Sequence, residues 1–189
     1  MATPTSLLSG YFQAKDGNRP ELMRDIFLPD AVLTFSIATD GICFPERTEG
    51  IETITHTLVT DFRKKYARCR SYYVCDEIEL RNNSVESLPW LVLMQEVATG
   101  HMRIGTGAYD WHFKPNADGE LRVCALHISI DRMDVIENAD GALLGTMQSA
   151  LPYPWLPPAT LHAEFGVLAS LEPELEFVEG YRSSFTIPG

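Results

Sequence analysis

The stretch that decides the fold is residues 11–35, which read YFQAKDGNRPELMRDIFLPDAVLTF. Leu7, Leu8, Tyr11 and Phe12 are spaced as on one face of a helix, and Asp16-Gly17-Asn18 then interrupts the repeat. Pro20 suits the first turn of a second helix, which has a single apolar stripe. Leu28-Pro29-Asp30 ends that helix, and residues 31–37 are typical of a strand. The stretch therefore predicts two short helices packed against the start of a sheet.

This opening resembles that of the nuclear transport factor 2-like (cystatin-like) proteins, and its sequence is similar to those of their SnoaL-like and scytalone dehydratase-like branches. The resemblance covers about residues 5–131. It implies an α+β cone in which N-terminal helices pack on a strongly curved antiparallel sheet, with an apolar cavity at the mouth. Because this fold hosts dehydratases, isomerases, cyclases and inert scaffolds, the resemblance implies an architecture more than a reaction.

The rest of the chain fits the same plan. A third amphipathic helix is predicted from about residue 49 to residue 68, and the apolar period then changes to two. Strands are predicted at 69–80, 89–94, 101–114 and 121–131. Helices followed by long antiparallel strands indicate an α+β domain at residues 1–131.

Residues 132–189 form a C-terminal extension that is too apolar for a disordered tail. We expect a short helix at 142–147, a stiff proline-rich segment at 151–158 and an amphipathic helix near 161–168. The extension should pack on the cone or on a partner subunit. Large aromatic side chains on a stiff backbone favour a position over the cavity mouth of the same subunit or of a neighbouring one, and packing outside the first or third helix is the alternative.

Composition excludes several classes of partner. The formal charge of −11 over 189 residues argues against nucleic acid or an anionic membrane as the partner, because both require a basic surface. No apolar run approaches the roughly 20 residues that cross a bilayer, and the N-terminus lacks signal-peptide features. We therefore expect a cytoplasmic protein, and the apolar cavity that the resemblance implies makes a small apolar molecule its expected partner.

Neither a metal nor an organic cofactor is indicated. The histidines and carboxylates show no metal-ligand spacing, and there is no glycine-rich phosphate loop and no GxSxG elbow. The four cysteines show no paired spacing and are interpreted as small buried residues with free thiols. The expected cofactor set is therefore none, and the expected metal set is none.

Three candidate site residues lie in the first part of the chain. The resemblance implies that Asp16 helps to position a catalytic histidine, although Lys15 stands where the family has a tyrosine. Asp16 is alternatively a turn residue before Gly17. Tyr11 matches the oxyanion-binding tyrosine of ketosteroid isomerases and is alternatively a packing residue. Phe35 stands where that branch has its general base, which argues against the isomerase arrangement and makes Phe35 a ligand-binding candidate.

The strands supply four more candidates. The resemblance places Tyr73, beside Tyr72, where the dehydratase branch has a histidine, and a tyrosine is a hydrogen-bond donor but a poor base at neutral pH. Trp90 on the next strand is assigned to the ligand-binding set. Strand alternation puts Asp110 and His112 on one face. If that face is inward, they are an orienting carboxylate and an acid/base pair, and if it is outward, they belong to a subunit interface.

Two further expectations follow from the last strand and from the candidate set. Ala125, His127 and Ser129 should lie on the outer face of the sheet, an unusual mix for a solvated surface, which predicts a homodimer or a higher homo-oligomer. For function, one hypothesis is a cofactor-free lyase (dehydratase), isomerase or cyclase that acts on a small apolar oxygenated molecule. The other is a non-catalytic ligand-binding or scaffold module.

Overall fold

The computed structural model describes residues 2–137, 141–171 and 178–185. Within these residues the protein is an α+β structure with helices packed on one curved sheet. The helices are α1 (Pro4–Asp16), α2 (Met23–Ile26), α3 (Ile51–Thr55), α4 (Asp61–Lys65), α5 (Ala142–Ala150), α6 (Pro158–Leu171) and α7 (Glu179–Arg182). The strands are β1 (Phe27–Ile37), β2 (Arg47–Glu49), β3 (Tyr66–Val74), β4 (Ser84–Glu96), β5 (Met102–Pro115), β6 (Leu121–Ile136) and β7 (Trp155–Leu156).

Helix α1 begins and ends where the local chemistry requires. Thr3 and Ser6 form a capping box in which each side chain accepts a hydrogen bond from the backbone N–H of the other residue. The helix stops at Gly17 because Asn18 takes a left-handed conformation with φ of 50°. Its apolar stripe is fully buried, as the helical repeat predicted, and consists of Leu7, Leu8, Tyr11, Phe12 and Ala14.

The third predicted helix is present but shorter than expected. It runs as α3, a π-helical segment (His56–Thr60) and α4, and it ends at Lys65. Tyr66 already belongs to β3, and Arg68 sits at a bulge in that strand with φ of 50°. The predicted helix end at residue 68 and strand end at residue 80 are therefore both wrong by several residues.

The sheet is mixed rather than purely antiparallel. Its strand order is β2-β1-β6-β5-β4-β3-β7. The long strands β3, β4, β5 and β6 pair antiparallel as predicted, whereas β1 with β6 and β3 with β7 are parallel pairs. These two pairs join strands that are distant in sequence, so no hairpin turn dictates their direction.

Each face of the sheet carries its own apolar core. The concave face packs against α1 to α4, while the outer face of β3, β4 and β5 packs against the C-terminal extension. Strand β4 shows the alternation directly, because Trp90 and Val92 lie in the first core and Leu91 and Leu93 in the second. A continuous apolar run in a strand is typical of burial on both faces.

The extension covers the outer face of the sheet and not the cavity. Buried side chains of α5, α6 and α7 meet the outer side chains of β3 to β5, and they include Leu144, Met147, Leu161, Phe165 and Tyr181. Within the described residues no side chain beyond Met133 lines the cavity of the cone. The prediction that residues 150–170 cover the mouth of their own cavity is therefore wrong, because the apolar outer face competes for the same side chains. The predicted boundary at residue 131 also falls inside β6.

The proline-rich segment connects the two faces. After α5 it passes the edge of β3 and reaches α1, where Trp155 Nε1 donates a hydrogen bond of 3.2 Å to Ser9 Oγ. The Tyr153 hydroxyl donates a hydrogen bond of 3.2 Å to Asp16 Oδ2. None of the described helices is long and apolar enough to span a membrane.

Candidate functional site

A small cavity lies between α1, the third helix and the concave face of the sheet. Its walls are mostly apolar and are formed by Tyr11, Lys15, Phe35, Ile42, Phe44, Leu58, Phe62, Ser71, Trp90, Val92, Met94, Tyr109, Ile128, Ile130 and Met133. The free volume is about 40 Å³, which holds little more than one water molecule. A wider groove of about 720 Å³ lies outside the helices near Arg24 and His56, but it is open and lined by polar side chains. The cavity in the cone is the better candidate because buried polar atoms face an apolar wall there.

Two hydrogen-bond donors in the cavity have no partner. The Tyr11 hydroxyl and Trp90 Nε1 are buried and make no hydrogen bond of good geometry with a described residue, although the Tyr109 side chain lies close enough to Tyr11 to lower its pKa in part. Burial raises the pKa of Tyr11 well above its ordinary value, and the nearby Lys15 ammonium offsets only part of this effect. Tyr11 therefore stays protonated. Because buried polar atoms are nearly always paired, two unpaired donors in one cavity indicate a place for an acceptor atom.

Lys15 supplies a buried positive charge at one end of the cavity. Its Nζ donates to Asp16 Oδ1 at 2.9 Å, to Ser71 Oγ at 2.8 Å and to Cys69 Sγ at 3.4 Å. The same atom lies 4.6 Å from the centre of the Phe62 ring. Burial opposes the charged form, but the Asp16 carboxylate together with the neighbouring Cys69 and Tyr11 groups outweighs burial and holds the pKa of Lys15 above its ordinary value. Lys15 is therefore a fixed cation and not a base.

Asp16 lies behind Lys15, outside the cavity lining. Besides Lys15, its carboxylate accepts hydrogen bonds from the Ser71 N–H at 2.6 Å, from Ser71 Oγ at 3.0 Å, from Cys69 Sγ at 3.2 Å and from Tyr153. Burial raises the pKa of Cys69 to about 12, so its thiol remains a donor. The resemblance implied a histidine as the partner of Asp16, whereas in the structure Ser71 is the residue of β3 that donates to its carboxylate from both its N–H and its hydroxyl. Asp16 therefore joins α1 to β3 and the extension, and it presents no free oxygen to the cavity.

Asp110 and His112 lie on the outer face of β5. Their side chains therefore do not point into the cavity. Asp110 Oδ1 accepts a hydrogen bond of 2.7 Å from the Ser87 N–H, and the exposed His112 Nδ1 is hydrogen-bonded to Ser84 Oγ at 2.7 Å. The inward positions of this strand hold the large buried side chains Tyr109, Trp111 and Phe113. The core accepts the aromatic face because it buries far more apolar area. The acid/base pair expected at Asp110 and His112 is thus not brought to the cavity.

The remaining candidates divide between cavity and core. Phe35 and Trp90 line the cavity, as the ligand-binding assignment requires. Tyr73 does not, because its ring stacks on Phe12 at 4.0 Å and its hydroxyl donates a hydrogen bond of 3.1 Å to the Leu8 carbonyl. None of the five histidines of the chain lines the cavity. Among the described residues no carboxylate lines it either.

Several cavity residues were missed at the level of sequence. Lys15 was noted only as a departure from the family pattern, yet it lies four residues after Tyr11 and so on the same face of α1. Tyr109 could have been found by asking which face of β5 has the larger side chains. Phe44 lies in a loop with no periodic pattern, and no signal in the sequence places it at the cavity.

The comparisons with solved structures define the class of fold. A crystal structure of LinA matches with a TM-score of 0.57 at 16% identity, covering 72% of this chain and 87% of that chain. A nuclear transport factor 2-like superfamily protein from Salmonella enterica serovar Typhimurium LT2 matches with a TM-score of 0.53 at 14% identity, covering 71% and 89%. A ketosteroid isomerase-like protein from Erwinia carotovora atroseptica SCRI1043 matches with a TM-score of 0.51 at 12% identity, covering 68% and 93%. The protein therefore has the cone-shaped nuclear transport factor 2-like fold.

The family follows from the sequence comparison. The model of the SnoaL-like domain matches residues 5–127, which is well over half of the chain. The protein therefore belongs to the SnoaL-like family. No curated protein sequence matches the chain. The match to the SnoaL-like domain confirms the resemblance that was inferred from residues 11–35.

Proposed function

We propose that the protein binds a small, neutral, mostly apolar molecule in this cavity through a carbonyl or similar acceptor oxygen. The observation that supports this most strongly is the pair of unpartnered buried donors, the Tyr11 hydroxyl and Trp90 Nε1, in an otherwise apolar cavity. A tryptophan N–H can only donate, so the complementary ligand atom is an acceptor. Lys15 adds positive potential, but Asp16 neutralises it and the other two donors of Lys15 are engaged. A neutral oxygen therefore fits better than a carboxylate.

Non-catalytic binding is the function that this geometry supports best. General acid/base chemistry needs a group that can take a proton near neutral pH. Tyr11 and Lys15 both hold their protons, and no histidine or described carboxylate lines the cavity. The cavity thus offers donors without a base.

A cofactor-free lyase or isomerase is the second candidate. The names of the similar structures, a hexachlorocyclohexane dehydrochlorinase from Novosphingobium barchaimii LL02 and the ketosteroid isomerase-like protein, favour it. In such a reaction Tyr11 and Trp90 would stabilise a developing enolate oxygen, and the base would have to enter with the substrate. Native mass spectrometry of the purified protein, followed by incubation of any released molecule with fresh protein, separates the two candidates, because only an enzyme changes the mass or isomer of the molecule.

Replacing Tyr11 with phenylalanine tests the binding proposal. With 1-tetralone, a bicyclic ketone, as probe we expect about 3- to 10-fold weaker binding, because one hydrogen bond is lost. Tetralin has the same carbon skeleton without the oxygen, and its affinity should not fall. Isothermal titration calorimetry measures both dissociation constants. His112→Ala, which changes an exposed side chain outside the cavity, is the control and should match the unaltered protein for both probes. Equal loss for tetralone and tetralin, or no binding of either, would contradict the proposal.

We also propose that the protein forms a homodimer through the part of the outer face that the extension leaves uncovered. There Ala125, His127 and Ser129 are partly exposed on β6, and His127 pairs in register with Asp110 on β5. Multi-angle light scattering at micromolar concentration should therefore give about twice the monomer mass. A mass of one chain over the whole concentration range would argue against the dimer.

A further inference from the structure

Three phenylalanine rings lie parallel at the mouth of the cavity. The ring of Phe44 stacks on that of Phe35 with centroids 4.5 Å apart and an interplanar angle of 1°. The ring of Phe62 is also nearly parallel to that of Phe44, with centroids 6.5 Å apart and an interplanar angle of 9°. Phe35 and Phe62 are buried and belong to β1 and α4, whereas Phe44 is partly exposed. Phe44 thus lies parallel to two rings that are held by a long strand and a helix.

The hydrogen bonds that anchor the loop of Phe44 lie on either side of Phe44 in the chain and not at Phe44 itself. The loop between β1 and β2 is anchored at its start by the Ala38 N–H, which donates to the Ile130 carbonyl at 2.9 Å. Arg103 Nη1 donates a hydrogen bond of 2.8 Å to the Gly41 carbonyl, and the backbone carbonyl of Glu46 accepts one of 3.0 Å from the Phe35 N–H. Between these anchors, Cys43, Phe44 and Pro45 make no hydrogen bond with the described part of the chain. Few backbone bonds and partial exposure are the features of a segment that opens at low cost.

The cavity is too small for a ligand unless a side chain leaves. Its free volume of about 40 Å³ is far below the several hundred Å³ that small-molecule sites occupy. Most lining side chains belong to helices or to long strands, which cannot move without disturbing the core. Phe44 is the lining side chain that combines a loop position, partial exposure and a backbone without local hydrogen bonds.

We propose that the ligand of this cavity carries a planar aromatic ring, and that Phe44 is the internal stand-in for that ring. This inference rests on the proposed binding function and names the class of ligand. When the ligand enters, Phe44 swings outward and the ligand ring takes its place against Phe35. Stacking between parallel rings selects a flat ring over a saturated one of similar size. Tyr11 and Trp90 line the same cavity as Phe35 and Phe44, so the ligand is an aromatic compound that bears a ketone or hydroxyl oxygen for their donors.

The test compares a flat probe with a saturated one in matched variants. We use 1-naphthol and 1-decalol, which share two fused six-membered rings and one hydroxyl, and we measure dissociation constants by calorimetry. Phe44→Ala removes the competing ring, so naphthol should bind at least about tenfold more tightly, as expected when a binding-competent state stops being a minor one. Phe35→Leu keeps an apolar wall but removes the stacking face, so naphthol should bind about 2- to 10-fold more weakly while decalol is unaffected. Leu80→Ala, an exposed change outside the cavity, is the control.

Each outcome decides the inference. Preference for naphthol, tighter binding in Phe44→Ala and weaker binding in Phe35→Leu together support it. Equal affinity for both probes, in the unaltered protein and in Phe44→Ala, overturns the aromatic class while leaving the binding proposal intact. Weaker naphthol binding in Phe44→Ala shows that Phe44 is a wall of the site and overturns the exchange of rings. Absence of binding for both probes in every variant is the failure of the proposed function itself.

Discussion

Replacing Phe165 with alanine is expected to lower the free energy of unfolding by about 3 to 5 kcal/mol. Phe165 lies at the centre of the interface between α6 and the outer face of the sheet, and its side chain is 0% exposed. Its removal would leave a cavity between two rigid layers that cannot close around it. Urea unfolding followed by circular dichroism measures the change, which should appear in the midpoint with an unchanged slope.

The same helix offers the matched control. Val167 lies two residues further along α6 and is 51% exposed, so Val167→Ala should change stability by less than about 0.5 kcal/mol. A truncated chain that ends at Ser149 removes most of the cover from β3, β4 and β5 and should not fold to a soluble monomer. If Phe165→Ala were as mild as Val167→Ala and the truncated chain stayed folded, the extension would not be part of the core.

Replacing Asp16 with alanine is expected to cost about 3 to 5 kcal/mol of stability, because it leaves Lys15 charged and buried without its partner. The two side chains are only 8% and 4% exposed for Lys15 and Asp16 respectively. The Ser71 N–H and the Tyr153 hydroxyl lose their acceptor at the same time. In the unaltered protein the raised pKa keeps Lys15 protonated up to at least about pH 10, so the pair keeps its stabilising effect from pH 7 to pH 9. In Asp16→Ala, burial lowers the pKa of Lys15 because its counter-charge is gone, so the variant gains stability as the pH rises and the cost should be smaller at pH 9 than at pH 7.

Two further variants isolate the buried charge. Adding Lys15→Met to Asp16→Ala removes the stranded cation and should recover part of the lost stability. Asp25→Ala, an exposed acidic residue with no such partner role in the cavity network, should stay within about 0.5 kcal/mol of the unaltered protein. If the double variant were less stable than Asp16→Ala alone, the unpaired charge would not be the source of the cost.

The elements that the sequence predicted well are those with a strong local signal. Helix α1 was predicted because its apolar repeat is interrupted at Asp16-Gly17-Asn18, and the strands of the sheet because their period is two. The end of the third helix at Lys65 was missed by three residues, because Arg68 is a good helix former and nothing local reports the bulge in β3. The parallel pairing of β1 with β6 was missed for the same kind of reason, since it depends on strands far apart in the chain.

The candidate site was predicted less completely than the fold. Tyr11 and Phe35, which the resemblance singled out, and Trp90, which was assigned to the ligand-binding set, line the cavity. Asp110 and His112 were left between two faces, and the decision came from Tyr109, Trp111 and Phe113, whose burial turns the polar side chains outward. Strand alternation alone does not predict which face of β5 points inward, because that depends on which face packs against the helices.

The sequence by itself determined the cone, the class of its helices and strands and the membership of the SnoaL-like family, because these depend on periodicity, caps and motifs that are local in the chain. Only the tertiary structure decided where the polar groups meet. It brought Lys15, Asp16 and Ser71 together with Tyr153 from the other end of the chain, and it placed Phe44 against Phe35. The contacts of Asp16 with Ser71 and Tyr153 join segments far apart in sequence, and Phe44 reaches Phe35 from a loop without a periodic pattern. The free energy of all these contacts depends on burial and on partners that exist only once the chain has folded.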